Sequence, residues 1–177
     1  MFFLPTLCTP SAAGAMSPEE ARGGMANSRT VREAAQSGAL GQMLKGRKLA
    51  LLADWGGLDH GDNNDAAQLF VRAATEMGAL VARLRPGLST TSPPQEVQST
   101  ARMLGQLYDA LECQGMDLGL VQQIALYAGV PVFHGLASAQ HRTAALVQQV
   151  AGQPGSGLAP DDAHCRVVQA VLLGTLV

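Results

Sequence analysis

The apolar positions of this chain follow two rhythms. Short apolar runs at 48–53, 79–84, 109–113 and 130–133 are too brief for helices and read as buried strands. Between them the spacing is helical. Residues 66–77 form one such stretch, ended by Gly78. Residues 100–108 place Ala101, Leu104, Leu107 and Tyr108 on one face, and 118–128 place Leu120, Val121, Ile124, Ala125 and Tyr127 on another. Gly115 stops the third strand, and Gly129 sits where a helix C-cap needs a left-handed residue. Helices alternating with short apolar strands predict an α/β fold. Its expected form is three-layered, a parallel sheet of about four strands with helices on both faces.

The ends of the chain are less regular. Ser17-Pro-Glu-Glu20 is a helix start, with Ser as N-cap, Pro at the first helical position and Glu at the third. The helix it opens is predicted to be weak, because Gly23-Gly24 interrupt it. A second helical run, 28–36, has its own cap in Ser28, and Gly38 and Gly41 then lead to the first strand. Residues 1–16 read as a loose tail: the start is apolar but not basic, Pro5 and Pro10 break any helix, and Met16 and Met25 are alternative starts. The loop 85–95, RPGLSTTSPPQ, is rich in turn formers. Residues 17–150 are expected to be the domain proper and 151–160 a Gly/Pro/Ser linker. Residues 161–177 then form a helix whose Val167, Val168, Val171, Leu172 and Leu176 pack back on the domain.

Composition narrows the partners. A chain of 177 residues with 47% hydrophobic and 15% charged residues has the makeup of a single globular domain. A net charge of -2 supplies no attraction for nucleic acid or an anionic membrane, and no stretch is apolar enough to span one. The three cysteines, Cys8, Cys113 and Cys165, lack metal-ligand spacing and point to a reducing, cytoplasmic compartment.

Three segments carry a resemblance: TARMLGQLYDALE at 100–112, LYAGVPVFHGL at 126–136 followed by His141, and LKGRKLALL at 44–52. Together they resemble the aspartate/ornithine carbamoyltransferases, the ornithine branch in particular. The resemblance implies a carbamoyl-phosphate-binding domain that forms trimers, with ligands held at the carboxyl ends of the strands. The family's Ser-Thr-Arg-Thr-Arg turn falls on Asn63-Asn64-Asp65-Ala66-Ala67, so both arginines are lost and a carboxylate is gained. Such a site should repel phosphate. The family's Tyr-Arg-Gly is Cys113-Gln114-Gly115, and His-Pro-Thr-Gln is His141-Arg142-Thr143-Ala144. The former carbamoyl-phosphate cleft is thus expected at Asn63, Asn64, Asp65, Gln114, His141, Arg142 and Thr143. The resemblance further implies that the amino-acid domain, due after residue 150, is cut out, with the returning last helix spliced on and its arginine replaced by His164.

Three functional readings compete. Residual carbamoyl transfer in amino-acid metabolism needs a held phosphate, a polarised carbonyl and a bound amine, and most of those ligands are missing. A repurposed enzyme would use the four histidines near the old cleft. His60, His134, His141 and His164, with Asp59 and Asp62, are candidate ligands for a divalent metal, although their spacing matches no defined metal signature. The bland alternative is a solvated polar loop with structural histidines. The favoured reading is a pseudoenzyme without a cofactor. It keeps the family's homotrimer surface, binds a small polar ligand or a full-length carbamoyltransferase paralogue, and acts on neither nucleic acid nor membrane.

Overall fold

A computed structural model describes residues 16–53, 62–153 and 157–177. Helix α1 spans Pro18–Ser37 and strand β1 Lys48–Ala53. Then come α2 (Asp62–Glu76), β2 (Leu80–Leu84), α3 (Pro94–Leu107), β3 (Ala110–Gln114), α4 (Leu118–Ala128), β4 (Val132–His134), α5 (Ala144–Ala151) and α6 (Pro160–Leu176). The four strands form one parallel sheet in the order β2-β1-β3-β4. The α/β architecture with helices on both faces is as the apolar rhythm predicts.

The sheet interior follows from the sequence of its two central strands. β3 is buried along its whole length and β1 from Leu49 onward, because both faces of a parallel sheet are covered by helices. Alternation along β1 sorts its side chains: Leu49 and Leu51 join one core with Phe70, Met77, Phe133, Val168 and Leu172. Ala50 and Leu52 join the other with Val97, Ala101, Leu104, Leu120 and Ile124. α2 and α6 therefore cover one face, and α3 and α4 the other. The edge strand β2 is only partly covered, and Leu80 is exposed.

Two element boundaries depart most from the sequence reading. α1 runs unbroken through Gly23 and Gly24, with no second start at Ser28, which is buried inside it. A glycine inside a helix costs about 1 kcal/mol relative to alanine. Here the ends and the packing offset it. Ser17 Oγ accepts the Glu20 amide at 3.1 Å, and Glu20 Oε2 accepts the Ser17 amide at 2.8 Å. At the other end Gly38, at φ 75°, closes the helix. A Cβ at Gly24 would meet Leu146 Cδ1 at 2.7 Å, so the glycine admits α5 to close contact. α3 likewise begins at Pro94, six residues earlier than its apolar stripe suggests, because proline suits a first helical turn.

α6 locks the layers together. Ala163 and Val167 pack with Leu146 and Val150 of α5, while Cys165, Val168 and Leu172 face the sheet. Asn27 Nδ2 of α1 donates to Ala170 O at 3.2 Å. Arg47 donates to the Leu176 carbonyl at 2.8 Å and pairs with Asp109 at 3.2 Å, tying the end of α6 to the start of β3.

Candidate functional site at the carboxyl ends of the strands

The chain reverses direction across the sheet between β1 and β3, and in such sheets ligands enter beyond the strand ends at that point. Gln114 closes β3 there, buried, and His134 closes β4. A chain of turns then carries the backbone to His141: Gly135, at φ 63°, donates to Cys113 O, Ser138 to Gly135 O and His141 to Ser138 O.

The turn is clamped from beneath by Glu112. This carboxyl group is fully buried, and its Oε1 accepts the Leu136 amide at 3.0 Å. Burial pushes its pKa up to about 8, against the pull of the Leu136 and Gly135 amides. It is therefore largely protonated at neutral pH. Sequence reasoning took 109–113 as a plain apolar strand and missed this residue. The signal was present: a carboxylate in a strand buried on both faces needs a dedicated partner.

His141 is 2% exposed. Its Nδ1 accepts the Thr143 amide at 3.3 Å and lies 2.9 Å from Thr143 Oγ1. An amide N–H only donates, so the ring proton resides on Nε2, which is buried and has no partner. Burial first, then the positive charges of Arg142, His134 and His164, push the imidazole pKa down to about 4. His141 is thus a neutral hydrogen-bond donor. The guanidinium of its neighbour Arg142 is taken by Glu20 at the start of α1, at 3.0 Å.

His134 donates from Nε2 to the Met116 carbonyl at 2.9 Å, which leaves Nδ1 buried without a partner. His164 stands near the start of α6, its pKa lowered by burial against the opposing charge of Asp161. It borders a cleft of about 580 Å³ between α2 and α6, walled also by Asp65, Gln68, Arg72, Ala137 and Asp161. Arg72 is engaged by Glu76 at 2.9 Å and Asp162 at 2.7 Å. A second cleft of about 310 Å³ lies between the 85–93 loop and the start of α4, beside Ser89, Thr90, Ser92, Asp117 and Gln123.

Of the expected cleft residues, His141 and Thr143 are hydrogen-bonded to each other on the turn beyond β4. Gln114 closes β3, the Arg142 guanidinium is on Glu20, and Asn64 and the exposed Asp65 stand in the first turn of α2. Asp59 and His60 lie outside the described residues, as do the side chains of Asp62 and Asn63. Among the described residues no group of three His, Cys, Asp or Glu side chains could hold an ion, and the anticipated centre also draws on Asp59 and His60, which lie outside them. His134 and His141 each commit one ring nitrogen to the backbone. Cys113 is buried in the core of the α3–α4 face, and Cys165 has its thiol pKa raised to about 12 by burial and Glu76, so it is no nucleophile.

The fold is a parallel α/β sheet with a topological switch point, the place where sheets of this kind hold their ligands. Comparison with known proteins narrows that class. The chain is 35% identical over 116 residues to ornithine carbamoyltransferase of Haemophilus influenzae, covering 66% of this chain and 33% of that protein. It is 40% identical over 88 residues to ornithine carbamoyltransferase of Neisseria meningitidis, covering 50% of this chain and 34% of the relative. The ornithine carbamoyltransferase structure from Pyrococcus furiosus superposes with TM-score 0.55 at 21% identity, over 75% of this chain and 45% of that one. The catalytic subunit of M. jannaschii aspartate transcarbamoylase gives TM-score 0.56 at 19% identity, over 75% and 42%. No family model matches the chain. Over 66% of its length the chain is thus similar to an ornithine carbamoyltransferase, and its fold is shared with ornithine and aspartate carbamoyltransferase structures. It spans about a third of the length of the curated relatives it matches.

Among the described residues no helix is long and apolar enough to cross a membrane.

Proposed function

We propose that this chain is a relative of the carbamoyltransferases that has lost carbamoyl transfer and binds a small polar ligand at the strand-end crevice, as a homotrimer or with a full-length carbamoyltransferase. One observation carries the reading. Arg142, the cation beside His141, is bound to Glu20, and the position the family fills with arginine is Gln114. The crevice thus offers neutral groups where transfer needs a leaving phosphate neutralised. His141 remains able to donate Nε2–H to a carbonyl or amide oxygen. A bound amine would have to be held by residues outside this fold, and the match to the curated relatives covers only a third of their length.

The test is a citrulline assay with ornithine and carbamoyl phosphate on the purified chain. No turnover above the buffer rate is expected; turnover that disappears in His141→Ala would overturn the reading. Native mass spectrometry checks the assembly. A trimer is expected, and a monomer at micromolar concentration would remove the trimer from the proposal.

A further inference from the structure

Glu112 is a carboxylic acid in a strand buried along its whole length. Leu111 and Cys113 join the α3–α4 core, so alternation puts Glu112 on the α2–α6 side, beside Phe133 in the register of β4. An aliphatic side chain would fill that place without the cost of burying a carboxyl group, and Oε2 is left there with no partner. What the carboxyl supplies is an acceptor, Oε1, for the Leu136 amide at 3.0 Å. The place of that amide is what gives the bond a use. The chain leaves β4 through Gly135, at φ 63°, and a glycine leaves the direction of departure open. The Gly135 amide, on Cys113 O at 3.0 Å, ties only the strand side of this joint. The Leu136 amide is the first donor beyond it.

We propose that Glu112 is a positioning residue for His141: by holding the Leu136 amide it fixes the direction in which the turn leaves Gly135, and so keeps the imidazole buried with its proton on Nε2. The proposal rests on the reading of His141 as a hydrogen-bond donor to a ligand, and names the residue that maintains that state. Beyond Leu136 the turn is carried by short-range bonds, Ser138 to Gly135 O, His141 to Ser138 O and Ala144 to His141 O, so a direction set at the joint is passed on to the ring. His141 is 2% exposed and its Nδ1 accepts the Thr143 amide at 3.3 Å. A turn that swings outward would hydrate the ring and release Nδ1 from that amide, and either nitrogen could then carry the proton. A glutamine at position 112 offers the same Oε1 acceptor, whereas a methionine fills the space without one.

The experiment is NMR of the imidazole nitrogens of His141 in the full chain at neutral pH, with amide hydrogen exchange on the same samples. The unmodified chain is expected to show a protonated Nε2 and a bare Nδ1. Glu112→Met is expected to give a mixture of the two tautomers, to raise the His141 titration midpoint by about one pH unit or more, and to cut the protection of the Leu136 and Thr143 amides about tenfold. The amides of α4, on the other face of the sheet, are expected to keep their protection. Glu112→Gln is expected to match the unmodified chain throughout. An unchanged ring in Glu112→Met overturns the proposal, as does a change that Glu112→Gln shares. Equal loss of protection in α4 also overturns it, because Glu112 would then support the whole fold rather than the turn. Should Glu112→Met not fold, Glu112→Asp takes its place, since it keeps the carboxyl but withdraws it by one methylene: a shifted tautomer ratio supports the proposal, and ring signals identical to those of the unmodified chain overturn it. These readouts need no bound molecule. Carbamoyl transfer by the chain would sink the non-transferring reading and leave the Glu112 result standing on its own.

Discussion

At the scale of single residues, two buried titratable groups, Glu112 and His141, set opposite pH dependences. Glu112 has a folded pKa of about 8, raised above the ordinary carboxyl value. The unfolded chain releases that proton near pH 4.5, so folding is opposed progressively from there up to pH 8 and the opposition is complete above it. His141, with a folded pKa of about 4, works the other way. Its neutral form is favoured in the fold, so its contribution is full above pH 6.5 and is lost as pH falls towards 4. Between pH 5 and 6.5 the two slopes cancel in part. Above pH 6.5 only Glu112 acts, and stability should fall by about 1.4 kcal/mol per pH unit at most. Glu112→Gln should flatten that alkaline limb, and urea midpoints from pH 6.5 to 8 check it. The limb persisting unchanged in the variant would assign it to another group. Glu112 also illustrates what a sequence conceals. One acidic letter inside an apolar run looks like an imperfection until the turn it holds is seen.

Elements depend on a few close approaches. Gly105 on α3 faces the last turn of α4, where an added Cβ would collide with the Ala128 carbonyl oxygen. Backbone cannot rotate aside as a side chain can, so Gly105→Ala should cost roughly 1–3 kcal/mol, read as a lower denaturant midpoint with an unchanged slope. At Gly78 a positive φ of 89° and the Gly41 carbonyl together forbid a side chain. At the start of α1, Ser17→Ala should cost about 1 kcal/mol through the lost cap. The helix spacing in the sequence located α4 to the residue, helped by the local signal of its Gly129 stop. α1 was mislocated for the opposite reason. Gly23 and Gly24 weaken a helix taken alone, and nothing local announces that Leu146, over a hundred residues away, fills the space Gly24 leaves.

The whole molecule depends on its last helix. α6 contributes Val168 and Leu172 to the sheet core and Val167 to the cluster with α5, all buried. Truncation before Pro160 would expose this apolar surface, and loss of cooperative thermal unfolding is the expected result. A truncated chain that melts as sharply as the full one would show that α6 is dispensable. Smaller losses should scale with packing. Phe70→Ala, in the centre of the same core, should cost about 3–5 kcal/mol, measured by chemical denaturation.

The parallel α/β architecture and the family resemblance were legible from the sequence alone. Strand rhythm and helix spacing are short-range patterns, and the segments at 44–52, 100–112 and 126–136 carry the resemblance undisturbed. The chemistry was legible only as a set of candidates. His134, His141 and His164 are separated in the chain, and their spacing says nothing about which ring nitrogen each spends on the backbone. Tertiary structure decided that His141 takes the Thr143 amide, that Glu112 lies beneath the turn, and that Arg142 reaches back to Glu20. The first depends on burial, and the other two on partners far along the chain. Desolvation and long-range pairing are properties of the folded whole, so no local pattern of residues could have specified them.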